Sequence, residues 1–346
     1  MSRIIAADEA GIALAARTLR DGGLVAFPTE TVYGLGAAAL DPHAVRRIFE
    51  MKGRPSDHPV IVHLPLDATL EAWATPVPNL ARQAAEAFWP GPLTLVLHRS
   101  ETVPDAVTGG QATVALRMPD HPVAQALLQA YGGAIAAPSA NRFGRISPTR
   151  AEHVASEFHE DDLLILEGGA SRIGLESTIL DLSRDVPTLL RPGAVTHAML
   201  ETALGRPVTV AGAQADAPRA PGRLESHYAP RAPTRLASAN ELSTPTCVEP
   251  GGALLLRDAM PPVPSDVTTL RLPSDPKGYA HGLYDALRSL DAEQPSEIVI
   301  ERPPTDPAWV AILDRLARAS HPGGPSRTGE QSATLPTGSR DAKEEP

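Results

Sequence analysis

The chain of 346 residues has a single cysteine, Cys247. One thiol cannot close an intramolecular disulfide, and nowhere do cysteine and histidine combine at zinc-binding spacing. Long apolar runs are missing as well, since none reaches the ~18 residues that a membrane span needs. The first residues, MSRIIAADEA, hold no apolar signal core. These absences predict a soluble, cytoplasmic protein without zinc, haem or flavin and with no membrane partner. There is no excess of basic charge either. A formal net charge of −10 argues against a surface that coats nucleic acid, and still leaves room for a local basic cleft. No G-x-x-x-x-G-K-[ST] phosphate loop and no G-x-S-x-G nucleophile elbow occurs, and no internal repeat stands out.

What is present is enough for two domains with proper cores, at 42% hydrophobic residues. Prolines, 36 in all, concentrate in the second half and mark the seams. The chain is organised around the stretch from Phe27 to Leu64, which reads FPTETVYGLG, an apparent helix, then EMKGRPSDHPVIVHL. Leu24–Phe27 predicts a strand that Pro28 ends, because proline cannot donate to a ladder. Thr29, Glu30, Thr31 and Tyr33 then leave the strand end in a loop, with Gly34 and Gly36 expected to turn the backbone tightly and admit a ligand. Asp41-Pro42 opens a helix, Val45, Ile48 and Phe49 give it a buried stripe, and Gly53 stops it. Lys52 and Arg54 flank that glycine. As a lone pair they complement the helix dipole. Together with the hydroxyls of the preceding loop and His63 at the end of a strand over Pro59–Leu64, they describe a site for an anionic substrate.

Elsewhere, periodicity predicts helices over Asp8–Asp21, Leu66–Ala74, Asn79–Phe88, His121–Tyr131 and a last one capped by Thr196. Phe88 and Trp89 read as core or hinge aromatics. Strands are expected at Leu93–His98, Ala112–Met118, Ala134–Ala137, Leu163–Leu166, Ser177–Leu182 and Thr188–Leu190. Thr113 and Arg117 alternate onto one face of theirs. A buried arginine needs a partner, which is either Glu30 or a substrate carboxylate. Pro138 breaks the fourth of these strands so that Ser139 and Asn141 sit in a loop. Thr149 and Glu152 suggest a capping box, with Ser147 just before it, where helix N–H groups favour phosphate. Ser139 as a nucleophile finds no obvious base. Glu176, Ser177 and Arg191 lie at strand ends. From Arg206 to Arg235 the periodicity is lost in a Pro-, Ala- and Arg-rich linker that nonetheless contains His227 and Tyr228. A small α/β unit follows, with strands at Gly252–Arg257, Thr268–Leu272 and Glu297–Ile300 and helices at Gly278–Leu290 and Pro307–Ala319. It shows no obvious catalytic set of its own. After Ser320 composition predicts disorder.

In order along the chain, PTETVYGLG, Lys52-x-Arg54, WPGPLTLVL, Ser139-Ala140-Asn141, ESTI and LLRPG resemble the threonylcarbamoyl-AMP synthase family. This is the YrdC-like fold in its longer, two-domain form. The resemblance covers about residues 5–205 closely, and HYAP and the C-terminal unit more loosely, since Pro303–Trp309 stands where the relatives carry glycines. It implies an α/β protein. Residues 1–205 would form a YrdC-like twisted mixed sheet with helices around a concave cleft, 206–235 a linker or lid, 236–320 a small Rossmann-like α/β domain and 321–346 a disordered tail. It also implies a reaction, in which L-threonine, bicarbonate and ATP give threonylcarbamoyl-AMP, diphosphate and water. The product would feed modification of the tRNA adenosine beside the anticodon by a separate transferase.

By the same resemblance Thr31, His63, Arg117 and Ser177, with the backbone of Ala137, would hold threonine. Lys52, Arg54, His58, Thr113, Ser139, Asn141, Ser147, Arg191 and Tyr228 would hold ATP. Lys52 and Arg54 would serve catalysis by balancing triphosphate charge, shared with Mg2+ carried by the phosphates rather than by protein side chains. Residues 215–230 would close over the nucleotide and protect the labile adenylate. An RNA-binding protein of this fold is disfavoured by the acidic balance and by the lack of interleaved aromatic and basic residues, so stable nucleic-acid binding is not expected. A hydrogenase-maturation carbamoyltransferase would carry acylphosphatase and zinc-finger modules, and neither is present.

Overall fold

The structure is a computed structural model that describes residues 1–211, 218–221, 228–244, 247–262 and 267–321. His227, much of the expected lid and the expected tail beyond His321 lie outside the described residues. No helix among the described residues is long and apolar enough to cross a membrane.

The chain begins with strand β1 (Arg3–Ala6) and helix α1 (Glu9–Arg20). Asp8 caps α1 through the amide of Gly11, and Ile12, Ala15, Ala16 and Leu19 form its buried face. Strands β2 (Val25–Phe27) and β3 (Gly34–Ala38) follow, then α2 (Pro42–Lys52), capped by Asp41 and ended by Gly53 at φ 62°. Next come β4 (Ile61–His63), α3 (Asn79–Phe88), β5 (Leu93–His98), α4 (Asp105–Thr108), β6 (Thr113–Arg117), α5 (Pro122–Tyr131) and β7 (Ile135–Ala137). The first unit closes with α6 (Ala151–Glu157), β8 (Leu164–Glu167), β9 (Thr178–Asp181), β10 (Thr188–Arg191), α7 (His197–Leu204) and β11 (Thr209–Val210). The second unit holds β12 (Thr234–Ala237), α8 (Ala239–Leu242), β13 (Ala253–Leu256), β14 (Thr268–Arg271), α9 (Pro276–Ala292), β15 (Ile298–Glu301) and α10 (Val310–Ala319).

Eleven strands of the first unit form a mixed sheet in the order β1-β8-β2-β3-β7-β4-β6-β5-β9-β10-β11. Its central strands are short and wholly buried, so chain ends crowd towards the middle and loops from distant sequence meet there. The second unit is an all-parallel sheet, β12-β15-β13-β14. One apolar cluster joins the units: Val32, Ile146 and Leu175 pack with Tyr228, Leu283, Tyr284 and Leu316. The first strand of the second sheet starts at Thr234, inside the segment read from composition as linker.

Several local expectations are corrected. Gly34 and Gly36 lie in a strand, not in a turn. A Cβ on Gly36 would stand 2.7 Å from Ile135 Cγ2 and 2.8 Å from Phe27 Cε1, so the glycine lets neighbouring side chains cross the strand. Leu66–Ala74 forms only a 3₁₀ turn at Leu70–Ala72, whose N-cap, Thr69, gives no side-chain hydrogen bond. The Thr149/Glu152 capping box does not form. Arg150 occupies the N-cap, and the Thr149 amide donates to His153 Nδ1 at 3.2 Å. Strand β1 escaped the sequence pattern because its side chains are mostly exposed.

Candidate active site

Ends of several strands and one helix converge at the large sheet. The loop after β2 brings Thr29, Glu30 and Thr31, the turn after α2 brings Arg54, and β4 and β6 end on His63 and Arg117. The break after β7 brings Pro138 and Ser139, and the β9–β10 pair brings Ser177 and Arg191. Ala137, Glu176, Pro221 and Tyr228 complete a cleft with an empty volume of about 510 Å³.

One side of the cleft is a buried ion pair. Arg117 Nη2 lies 2.6 Å from Glu30 Oε1, Nη1 donates to Thr31 Oγ1 at 2.9 Å, and Nε donates to the Gly91 carbonyl at 3.3 Å. Thr29 and Thr31 hydroxyls meet at 2.8 Å. In this structure Glu30 is therefore the partner of Arg117. β4 and β6 run in parallel with His63 opposite Arg117. His63 stands edge-on to Phe27, and its buried Nδ1 has no hydrogen-bond partner. Burial first, and then the neighbouring Arg117 charge, push its pKa down to about 3, so the imidazole is neutral at physiological pH.

Two further cations line the same cleft. Arg191 donates from Nε to the Ser177 carbonyl at 3.0 Å, from Nη2 to Ser177 Oγ at 3.1 Å and from Nη1 to the Pro221 carbonyl at 3.0 Å. Ser177 Oγ also meets Thr94 Oγ1 at 2.7 Å. Arg54 donates to the Pro59 carbonyl at 2.9 Å and keeps a buried Nε without a hydrogen bond. Burial lowers the pKa of Arg54 to about 10 and also lowers that of Arg191. Both remain charged.

Of the residues expected from sequence, Thr31, Arg54, His63, Arg117, Ala137, Ser139, Ser177, Arg191 and Tyr228 line this one cleft. The other five lie outside its lining. Lys52 is buried beneath the Ser139–Asn141 loop, where its ammonium donates to the carbonyls of Ser139, at 2.6 Å, and of Asn141. Burial, then the Arg54 charge, drive its pKa well down. Asn141 Nδ2 donates to the carbonyls of Arg142 and Arg145 and so shapes the same loop. Ser147 is turned away to donate to Glu176 Oε1 at 2.5 Å. It does not present its hydroxyl at a helix end, because the helix starts only at Ala151. Thr113 begins β6 at the end opposite Arg117, and His58 stands half-buried, edge-on to Phe143.

Sequence reasoning missed the reach of the second unit into this region. Glu176 Oε2 accepts from Tyr284 at 3.0 Å and from Arg315 Nε at 2.8 Å. Tyr228, in a left-handed backbone conformation at φ 63°, stacks on Tyr284 with centroids 5.8 Å apart. Only the apolar register of the two helices carrying Tyr284 and Arg315 was visible in the sequence.

An eleven-stranded mixed sheet with a basic, hydroxyl-lined cleft, joined to a second, parallel α/β unit, is the fold that holds the site. Comparison with known proteins gives the class, a two-domain, nucleotidyltransferase-type enzyme of the YrdC-like fold. The family described as "Telomere recombination" (Sua5_yciO_yrdC) matches residues 17–193, and "Threonylcarbamoyl-AMP synthase, C-terminal domain" matches residues 195–321. The threonylcarbamoyl-AMP synthase of Bacillus subtilis is 40% identical over 321 residues, 89% of this chain and 92% of that protein. The one of Pyrococcus abyssi is 50% identical over 225 residues, 64% of this chain and 66% of that protein. The crystal structure of P. abyssi Sua5 complexed with L-threonine superposes with a TM-score of 0.85 at 39% identity, covering 92% of this chain and 97% of that one. The chain belongs to the threonylcarbamoyl-AMP synthase family, in its two-domain form.

Proposed function

We propose that the cleft condenses L-threonine, bicarbonate and ATP into threonylcarbamoyl-AMP, releasing diphosphate and water. The product would supply a separate transferase that modifies the tRNA adenosine beside the anticodon, in the cytoplasm. The observation that carries this reading is that Arg117, Thr31, His63 and Ser177 line one cleft together with Arg54 and Arg191, so groups that suit an amino acid meet cations that suit a polyphosphate.

The Arg117 guanidinium takes the threonine carboxylate, with Thr31 and Ser177 as hydroxyl partners and the Ala137 backbone beside them. His63 is neutral and has a free ring nitrogen, so it offers a hydrogen bond to the substrate without adding charge. The threonine amine attacks carbonate to give a carbamate with loss of water. A carbamate oxygen then attacks the α-phosphorus, and diphosphate leaves. The protein needs to align the reactants and balance charge more than to form bonds. Arg54 and Arg191 face the phosphates, with Ser139 at the loop edge. Tyr228 and Pro221 wall the cleft from the linker side, in keeping with a closing role for that segment. Lys52 acts from beneath, holding the Ser139–Asn141 loop in place.

Mg2+ would arrive with ATP on the phosphate oxygens. Glu30 is paired with Arg117 and the cleft carboxylate Glu176 with Arg315, in keeping with a cation carried by the phosphates.

The test is diphosphate release by purified protein with ATP, Mg2+ and bicarbonate, with and without L-threonine. Release should depend on threonine and fall by at least about a hundredfold in Arg117→Ala and in Lys52→Ala. Release that ignores threonine would overturn the proposed reaction.

A further inference from the structure

Ser177 and Arg191 sit at the ends of paired strands, yet the ladder does not fix their positions by itself. The β9–β10 register slips between Leu189 and Arg191, which then pairs with Ile179, so the ladder is irregular just before the side chain that enters the cleft. A further hold on this segment comes from Arg315 of α10, whose side chain is wholly buried. Its Nε donates to the carboxylate of Glu176, the residue before Ser177, at 2.8 Å. Its Nη2 donates to the carbonyl of Pro192, the residue after Arg191, at 3.0 Å. Asp314 takes Nη1 at 2.6 Å, and the Tyr228 ring covers the guanidinium plane at 5.4 Å.

We propose that Arg315 of the second domain is a positioning residue for the reaction proposed above, a fork that clamps the chain on both sides of the Ser177–Arg191 pair. Geometry requires a fork here. The two anchors are a carboxylate just before β9 and a carbonyl just after β10, and a planar guanidinium spans them with fixed angles where an ammonium offers one point. Arg315 also answers the charge of Glu176, which lines the cleft and would otherwise face anionic substrates unpaired. Ser147 and Tyr284 saturate the rest of that carboxylate. The second domain therefore contributes to the cleft without touching substrate.

The test uses full-length Arg315→Lys and Arg315→Met beside wild type, with three readouts: steady-state diphosphate release, urea unfolding and amide hydrogen exchange. With Arg315→Lys folded near the wild-type urea midpoint, KM for threonine or ATP should rise roughly tenfold, the scale of one lost charged hydrogen bond. Amides over residues 176–178 and 191–193 should exchange faster, while those of β4 and β6 stay unchanged. Arg315→Met should show the same pattern more strongly, and Glu176→Gln in that background should recover part of the loss by removing the unpaired charge. Normal KM values and unchanged local exchange in a folded Arg315→Lys protein would overturn the clamp. If Arg315→Met does not fold, Arg315→Lys decides alone. The exchange readout needs no turnover, so failure of the clamp is distinguishable from failure of the reaction.

Discussion

Removing one partner of the Glu30–Arg117 pair should destabilise the first domain more than any surface change. The charges meet at 2.6 Å with side chains 4% and 1% exposed. At an effective dielectric constant of ~20, Coulomb's law gives about 6 kcal/mol of attraction at that separation. Desolvation of both ions offsets most of it, so the pair as a whole contributes little net stability. Breaking it is different. Arg117→Met leaves the Glu30 carboxyl without its partner in a dry site and takes a donor from Thr31, at an expected cost of about 3–5 kcal/mol. Glu30→Gln strands the guanidinium and should cost a similar amount, whereas the double variant should lose clearly less than the sum of the singles. Equilibrium urea unfolding followed by tryptophan fluorescence reports on this directly, since Trp73 and Trp89 pack against the core of the large sheet. A coupling energy of at least ~2 kcal/mol is the expected outcome. Additive singles, each within ~1 kcal/mol of wild type, would refute the reasoning and mean that water reaches the pair.

Acid should weaken the fold through His63. Its folded pKa of about 3 lies below the ordinary 6.5, so the unfolded chain binds the proton first. Stability should therefore be complete above pH 6.5 and fall by up to about 1.4 kcal/mol per pH unit between 6.5 and 3. His63→Gln should flatten that part of a urea-midpoint profile, and an unchanged slope would count against a buried neutral imidazole. Gly36→Ala should cost about 1–3 kcal/mol by overpacking Ile135 and Phe27, and a wild-type melting temperature would mean that those side chains yield freely.

Much of this protein was legible before any coordinates. Local rules sufficed where local physics decides: Asp41, Pro42 and Gly53 bound α2, and the proline breaks after β2 and β7 leave Thr29 to Thr31 and Ser139 in loops outside the strands. Arg117 announced itself as a buried charge in need of a partner, and ordered motifs gave the family. The sequence alone did not tell whether Glu30 or a ligand was that partner, because pairing across 87 positions depends on β6 and the loop after β2 meeting under the sheet. It misread the backbone at Gly34 and Gly36 as a turn, though Gly34 does line the cleft, since a glycine that makes room for a crossing side chain looks the same, one-dimensionally, as one that turns. The family resemblance implied ATP contacts for Lys52 and Ser147, and only the fold shows that the first also lies under the Ser139–Asn141 loop and that the second donates to Glu176. Above all the sequence showed no active-site role for the second domain. Tyr284 and Arg315 acquire one only because the two units share a buried face, and a long-range contact of that kind leaves no periodicity, spacing or composition to read.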